Sequence, residues 1–222
     1  MANNKSTKKQ DEQLENVQEA LSTSGRWIED HQNLITWVIF GILAVALCIW
    51  LVRAYVIEPK KEQASNENAV AMNYFLQQDF ATALNGNDDE CMGFAAIADK
   101  YHNQAGELAR YCAGVCSYQL GNYEDAIDYL SAYSTKEKSY AAASKQLLGD
   151  AYVQVDELEK AAHCFEQVGA MKHEVLSPMS LLKAARVYEE LGNKEAAKKA
   201  YKAIMDSYPQ SEAAQTAAMF AE

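Results

Sequence analysis

The residues best equipped for chemistry are cysteines, histidines and carboxylates. Five cysteines occur, at 48, 91, 112, 116 and 164. Their number is odd, and no two are spaced as a CxxC pair, so neither a zinc ribbon nor a thioredoxin-like motif is present. Cys112 and Cys116 stand four apart, which stacks them on one helix face. A ligand or redox pair would use that spacing, but two small buried apolar side chains use it equally, and the second reading is preferred. The histidines are His31, His102, His163 and His173, and none has carboxylates at metal-ligand spacing. His163 and Cys164 are consecutive, so on a helix they point to different faces and share no metal; His163 reads as a surface side chain. No glycine-rich nucleotide loop, GxSxG or HExxH string occurs. The three acids of NGNDDE (85–90) lack the alternation of a calcium loop and read as a solvated turn. The expectation is therefore a protein that is not an enzyme and holds no cofactor.

Charge removes another class of function. The net charge is −11, and residues from Glu58 onward hold 15 Lys/Arg against 25 Asp/Glu, or −10 of that total. A domain so acidic repels phosphates, and no basic stripe offsets it, so nucleic-acid binding is not expected. The apolar share of 49% is enough for a packed core.

One element is set by length and polarity alone. Residues 34–52, LITWVIFGILAVALCIWLV, contain no charge. As a helix, nineteen residues at about 1.5 Å each reach roughly 28 Å, close to the ~30 Å hydrocarbon core of a bilayer. Trp37 and Trp50 lie near the ends with Tyr55 just beyond, suited to the headgroup zone, and Arg53 can reach outward from the edge. Thirty-three mostly polar residues precede the run, which excludes a short cleaved signal peptide. Before the span, residues 1–33 read as a polar tail with a short interfacial helix from Leu14, interrupted at Ser24-Gly25. After it, Pro59 is expected to break the helix.

The rest reads as helix after helix, with no strand signal. Three strings repeat: GNYEDAIDYL from Gly121, DELEKAAHCF from Asp156 and GNKEAAKKAY from Gly192, at intervals of 35 and 36 residues. Five places past each turn residue stands an alanine (Ala126, Ala161, Ala197), and four further a large apolar side chain (Leu130, Phe165, Tyr201). Seven places before each turn stands a small residue (Gly114, Gly149, Ala185). The small residues let the two helices of a hairpin approach closely, and the large one fills the groove between them. Tyr152 and Tyr188 hold an aromatic position in the first helix of their hairpins. This is the tetratricopeptide (TPR) pattern. It places repeats at about 107–139, 142–175 and 178–210, with departures at Ser117, Tyr133 and Asp156, where tyrosine, alanine and glycine are usual. DKYHNQAGE from Asp99 echoes DSYPQSEAA from Asp206. That marks a degenerate hairpin before the repeats, its first helix expected near 66–84 and its second carrying Phe94 and Ile97. Ser211 is placed to cap a closing helix that ends near Phe220.

The expected fold class is thus all-α: one N-terminal transmembrane helix followed by a TPR helical-hairpin solenoid. The segments are a tail at 1–33, the span and exit at 34–57, a linker with a degenerate hairpin at 58–105, and three repeats with a cap at 106–222. TPR arrays bind extended peptides or helices on the concave face lined by each first helix. Here that face would present Leu108, Tyr111, Val115 and Tyr118, then Gln146, Asp150 and Val153, then Leu182, Arg186 and Glu189. It is aromatic at one end and charged at the other, without the Lys/Arg/Asn set that clamps a C-terminal carboxylate. Tyr111 is also placed to pack on the degenerate hairpin.

Several strings together resemble a known family. They are EALSTSGRWIEDHQNLI before the span, YVIEPKKEQ after it, DFATALNG from Asp79 and GFAAIADKYHNQAGELARYCAG from Gly93. With the repeats they resemble the YfgM-like ancillary subunit of the bacterial Sec translocon, in its Bacteroidetes-type form, over nearly the whole chain. The resemblance implies a bacterial inner-membrane protein with a cytoplasmic N-terminus and a periplasmic TPR domain. It implies protein partners: translocon subunits, exported chains or periplasmic chaperones. Charge near the span leans the other way, with Arg26 on one side and Arg53, Lys60 and Lys61 on the other. Basic residues are tolerated there when the domain behind them is large. A chaperone-like adaptor and a structural scaffold of another envelope assembly are the two functional readings.

Overall fold

The computed structural model describes residues 32–87, 90–102 and 104–220. The expected tail helix from Leu14 lies outside these residues. The chain divides into two compact units, one ending at Pro59 and one beginning at Lys60.

In the first unit, α1 (Gln32–Val52) is a helix of 21 residues. At about 1.5 Å per residue it is some 31 Å long, enough to cross a hydrocarbon core. Its large apolar side chains, Trp37, Phe40, Ile42 and Trp50 among them, are exposed and have no protein core to bury them. A π-helical turn, Arg53–Ile57, follows. Pro59 does not break the chain into a loop, as the sequence suggested. It stands in the first turn of α2 (Glu58–Leu76). The amide of Glu58 donates to the Arg53 carbonyl, one residue wider than α-helical spacing. The wider turn precedes the residue that has no N–H to give.

The second unit is built of helices. α2 is followed by α3 (Phe80–Asn85), α4 (Phe94–Lys100), α5 (Gln104–Gln119), α6 (Tyr123–Ala132), α7 (Lys138–Gln154), α8 (Leu158–Ala170), α9 (Leu176–Glu190), α10 (Lys194–Ser207) and α11 (Glu212–Phe220). Consecutive helices from α5 to α11 pack on one another. The single helix expected at 66–84 is two. Its break falls at Gln77–Asp79, where Gln78 takes a left-handed φ of 62° and the Asp79 side chain accepts from the Thr82 amide at 3.1 Å. An N-cap aspartate starts a new helix there, a signal stronger than the periodicity running through it. Across the 85–90 loop, Asn87 Oδ1 accepts from the amides of Glu90 and Cys91, which closes a turn.

The three hairpins α5–α6, α7–α8 and α9–α10 share one joint. Gly121 N donates to Tyr118 O and Asn122 N to Ser117 O; Asp156 and Glu157 repeat this with Val153 and Tyr152, and Gly192 and Asn193 with Glu189 and Tyr188. That pair of bonds is the Schellman motif, which needs a left-handed residue at its turn. Gly121 (φ 79°) and Gly192 (φ 72°) meet the need without strain; Asp156 (φ 61°) meets it against its own Cβ.

Behind each joint the helices close on a small residue. A Cβ on Gly114 would lie 2.7 Å from Leu130 Cγ, and one on Gly149 2.6 Å from Phe165 Cε1. The core is correspondingly a chain of local clusters. Phe94, Ile97, Cys112 and Cys116 belong to the first; Leu130, Leu148 and Cys164 to the next; Phe165, Ala184 and Val187 to a third; and Tyr201, Ile204 and Ala217 to the last. Each hairpin completes its core only against its neighbour. Ser211 Oγ accepts from the Ala214 amide at 3.1 Å and caps α11. This fold is all-α, with TPR-like helical hairpins behind one apolar N-terminal helix.

Candidate protein-binding surface

On the first helices of the three hairpins, α5, α7 and α9, the expected stripes are partly accessible. On α5 it holds Leu108, which is exposed, and Tyr111, Val115 and Tyr118, which are half-buried. On α7 it holds Gln146, Asp150 and Val153, all half-buried. On α9 Leu182 is half-buried, while Arg186 and Glu189 are exposed. Spacings of three and four keep each set on one helix face.

Packing then separates these ten residues. Tyr111 lies against Tyr133 and Tyr140, with ring centroids 5.3 and 5.8 Å away, and also packs on the first core cluster. Tyr118 meets Tyr123 edge-on at 5.4 Å. Burial raises the pKa of the Tyr118 hydroxyl, and the nearby Asp150 carboxylate raises it further. Val153 packs into the cluster of Phe165 and Val187, and Leu182 into the last cluster, so both serve the core. Gln146 and Asp150 are engaged within the chain. Ser180 Oγ donates to Gln146 Oε1 at 2.9 Å, and Lys183 Nζ donates to both Asp150 oxygens at 2.7 and 2.6 Å. Burial pushes the Asp150 carboxyl above its ordinary value, against the pull of the Lys183 ammonium. These bonds tie α7 to α9 across the middle of the face. Glu189 sits against the Tyr201 hydroxyl, whose pKa is raised by burial first and by that carboxylate second.

The surface also has members outside the sequence-derived set. Tyr140 is 49% exposed and Met179 46%. Beside Leu108, Tyr133 and Tyr140 the loop 133–137 walls a depression of about 630 Å³. Its wall is fixed by Glu107, which pairs with Arg110 and accepts from the Ser134 amide at 2.9 Å. Tyr140 lies on α7, the helix that carries Gln146, Asp150 and Val153, and was open to discovery from that element's sequence. Lys183 and Ser180 were not, because their partners lie 33 and 34 residues away.

For catalysis the described residues offer little. No three His, Cys, Asp or Glu side chains among them are grouped to hold a metal ion. Burial pushes the Cys112 and Cys116 thiols up to about 12, so both stay protonated and behave as small apolar groups. His163 is exposed, with Nε2 near Gln167. What the face does offer is aromatic and aliphatic surface held on rigid helices.

Residues 179–211, the last hairpin, match the tetratricopeptide-repeat family. A solved structure titled "Crystal structure of MamA" superposes with a TM-score of 0.54 at 18% sequence identity, covering 68% of this chain and 82% of that one. No curated protein matches the sequence. At that identity the likeness is one of fold. The chain thus carries one matched tetratricopeptide repeat, at 179–211, within a fold of TPR-like helical hairpins.

Proposed function

We propose that this chain is a membrane-anchored adaptor that binds other proteins on the face formed by α5, α7 and α9. The observation that carries the reading is the exposed apolar surface of that face. Leu108, Tyr140 and Met179 stand out as exposed large apolar side chains on helices whose buried residues form the core. Exposed aromatic anchors on a rigid frame suit protein recognition, since they cost little ordering on binding. The anchoring half of the proposal rests on α1, with its length and its unburied Trp37, Phe40 and Trp50. Residues 34–52 would lie in the bilayer, with protein partners meeting the second unit.

The finer reading follows the family resemblance of the tail, exit and first-hairpin strings. In it the N-terminus is cytoplasmic and the repeats periplasmic, beside the Sec translocon, where they meet exported chains or folding factors in a chaperone-like role. A scaffold for another envelope assembly is the competing reading. The Asp150–Lys183 and Gln146–Ser180 ties favour it to this extent: they make the centre of the face a fixed shape.

Photocrosslinking from position 140 in native membranes, with captured proteins identified by mass spectrometry, tests both. Translocon subunits, folding factors or a ladder of secretory chains support the adaptor. One dominant envelope protein supports the scaffold. Capture of cytoplasmic proteins alone reverses the orientation.

A further inference from the structure

The joint between the second and third hairpins is closed by an imidazole. The His173 carbonyl accepts from Ser177 N at 3.1 Å, so the helical turn that leads into α9 begins at His173. The His173 ring occupies the place where Ser, Thr, Asp or Asn usually caps a helix. Nδ1 accepts from the amides of Leu176 at 3.2 Å and Val175 at 3.3 Å. Ser177 answers reciprocally: its Oγ accepts from His173 N at 2.8 Å and donates to Val168 O at 2.7 Å, at the end of α8. The pairing is like a capping box, with histidine as the capping side chain and the reciprocal acceptor four residues on instead of three. On the far side of the ring, Nε2 lies 3.4 Å from Ser139 Oγ at the start of α7.

The proton positions follow from the partners. Two amide N–H groups point at Nδ1, so Nδ1 must present a lone pair, and the single proton of the neutral ring sits on Nε2 facing Ser139. A second proton would have to go to Nδ1. It would meet two donors, remove the acceptor that both amides use, and place a positive charge at the positive end of the α9 dipole. Charged residues on the adjoining segments are Lys172 and Glu174 on either side in the chain, and Glu137 and Lys138 at the start of α7. They balance in sign, and among the described residues none forms an ion pair with the ring.

We infer that His173 is a proton-sensitive clasp: neutral, it caps α9 and ties α7, α8 and α9 together; protonated, it releases the first turn of α9. Imidazole is the side chain that ordinarily changes charge between pH 5 and 8. The turn it releases leads to Val175 and Met179, both exposed, at the edge of the candidate binding face. Acidification would therefore loosen one end of that face while the remaining hairpins stay packed.

Hydrogen exchange on the full chain in detergent, followed by mass spectrometry of the 173–181 segment, tests this. Rates are corrected for the intrinsic pH dependence of exchange. From about pH 7.5 to about pH 5.5 the wild-type segment is expected to lose protection about fivefold, the size of a lost cap. His173→Asn keeps an acceptor in the cap position without a titrating ring, and its segment is expected to stay unchanged over that range. An equal pH response in His173→Asn, or none in the wild type, overturns the inference. Should the variant fail to fold, ring-nitrogen NMR of the wild type decides. The Nε2-protonated tautomer at neutral pH is expected, and the Nδ1-protonated tautomer overturns the clasp.

Discussion

Gly149→Ala adds one methyl at the tightest point of the second hairpin. The new Cβ would lie 2.6, 2.9 and 3.0 Å from Cε1, Cδ1 and Cζ of Phe165. Carbon atoms rest at about 3.5–4.0 Å, so ring and helix must part by roughly 1 Å. Phe165 is 1% exposed and packed with Ala161, Ala162, Ala184 and Val187, so the ring has no empty space to turn into. Overpacking of this kind costs about 1–3 kcal/mol. Alanine in mid-helix returns about 1 kcal/mol relative to glycine. The expected net loss is about 1 kcal/mol, measured as a lower urea midpoint for the full chain in detergent, followed by circular dichroism. The cost should fall in a Phe165→Leu background, because a shorter side chain leaves room for the methyl. A double-mutant cycle then gives a coupling of about 1 kcal/mol. A Gly149→Ala protein as stable as the wild type, or more stable, would refute the reasoning. The helix preference of alanine would then act unopposed, and close approach would not be what the glycine provides.

Three other outcomes follow from local geometry. Asp156→Gly relieves a left-handed φ of 61° at the second Schellman joint and is expected to raise stability by about 0.5–1 kcal/mol, read as a higher thermal midpoint. Ser117 is fully buried and its Oγ has no hydrogen-bond partner among the described residues. Ser117→Ala should therefore be neutral or stabilising by up to about 1 kcal/mol in the same assay. The Asp150 carboxyl is held above its ordinary value by burial, so its ionised form weighs against the fold. That penalty is present above the folded pKa and vanishes as pH falls through it. Wild type should thus gain stability relative to Asp150→Asn on acidification from neutral pH, by about a few tenths of a kcal/mol after solvent screening. The opposite slope in urea titrations would show the Lys183 ammonium to dominate.

Much of this architecture is written in short-range patterns. The interval between Gly121, Asp156 and Gly192, the small residues seven places before them and the Ser211 cap each act within a few turns of helix, so they are legible along the chain. The same holds for α1, because length and lack of charge are properties of a segment rather than of a fold. Two local readings nonetheless misplaced boundaries. Asp79 capped a new helix inside an apparently continuous pattern, and Pro59 fitted a first turn that the preceding π-helical turn made ready for it. In both, hydrogen-bond satisfaction at a helix end outweighed periodicity.

What the sequence by itself determined is the repeat, its joints and the helix faces turned away from the core. Which residues on those faces meet one another was decided only by tertiary structure. Gln146 and Asp150 are free side chains on a helical wheel, and Val153 and Leu182 look equally available. The stagger between α7 and α9 turns the first pair toward Ser180 and Lys183, and neighbouring helices cover the second. The His173 clasp is of the same kind, since it gathers groups from α7, α8 and α9. Periodicity fixes the direction of a side chain within its own helix. The offset between helices is the summed result of packing small residues against large ones, and no single position in the chain encodes it.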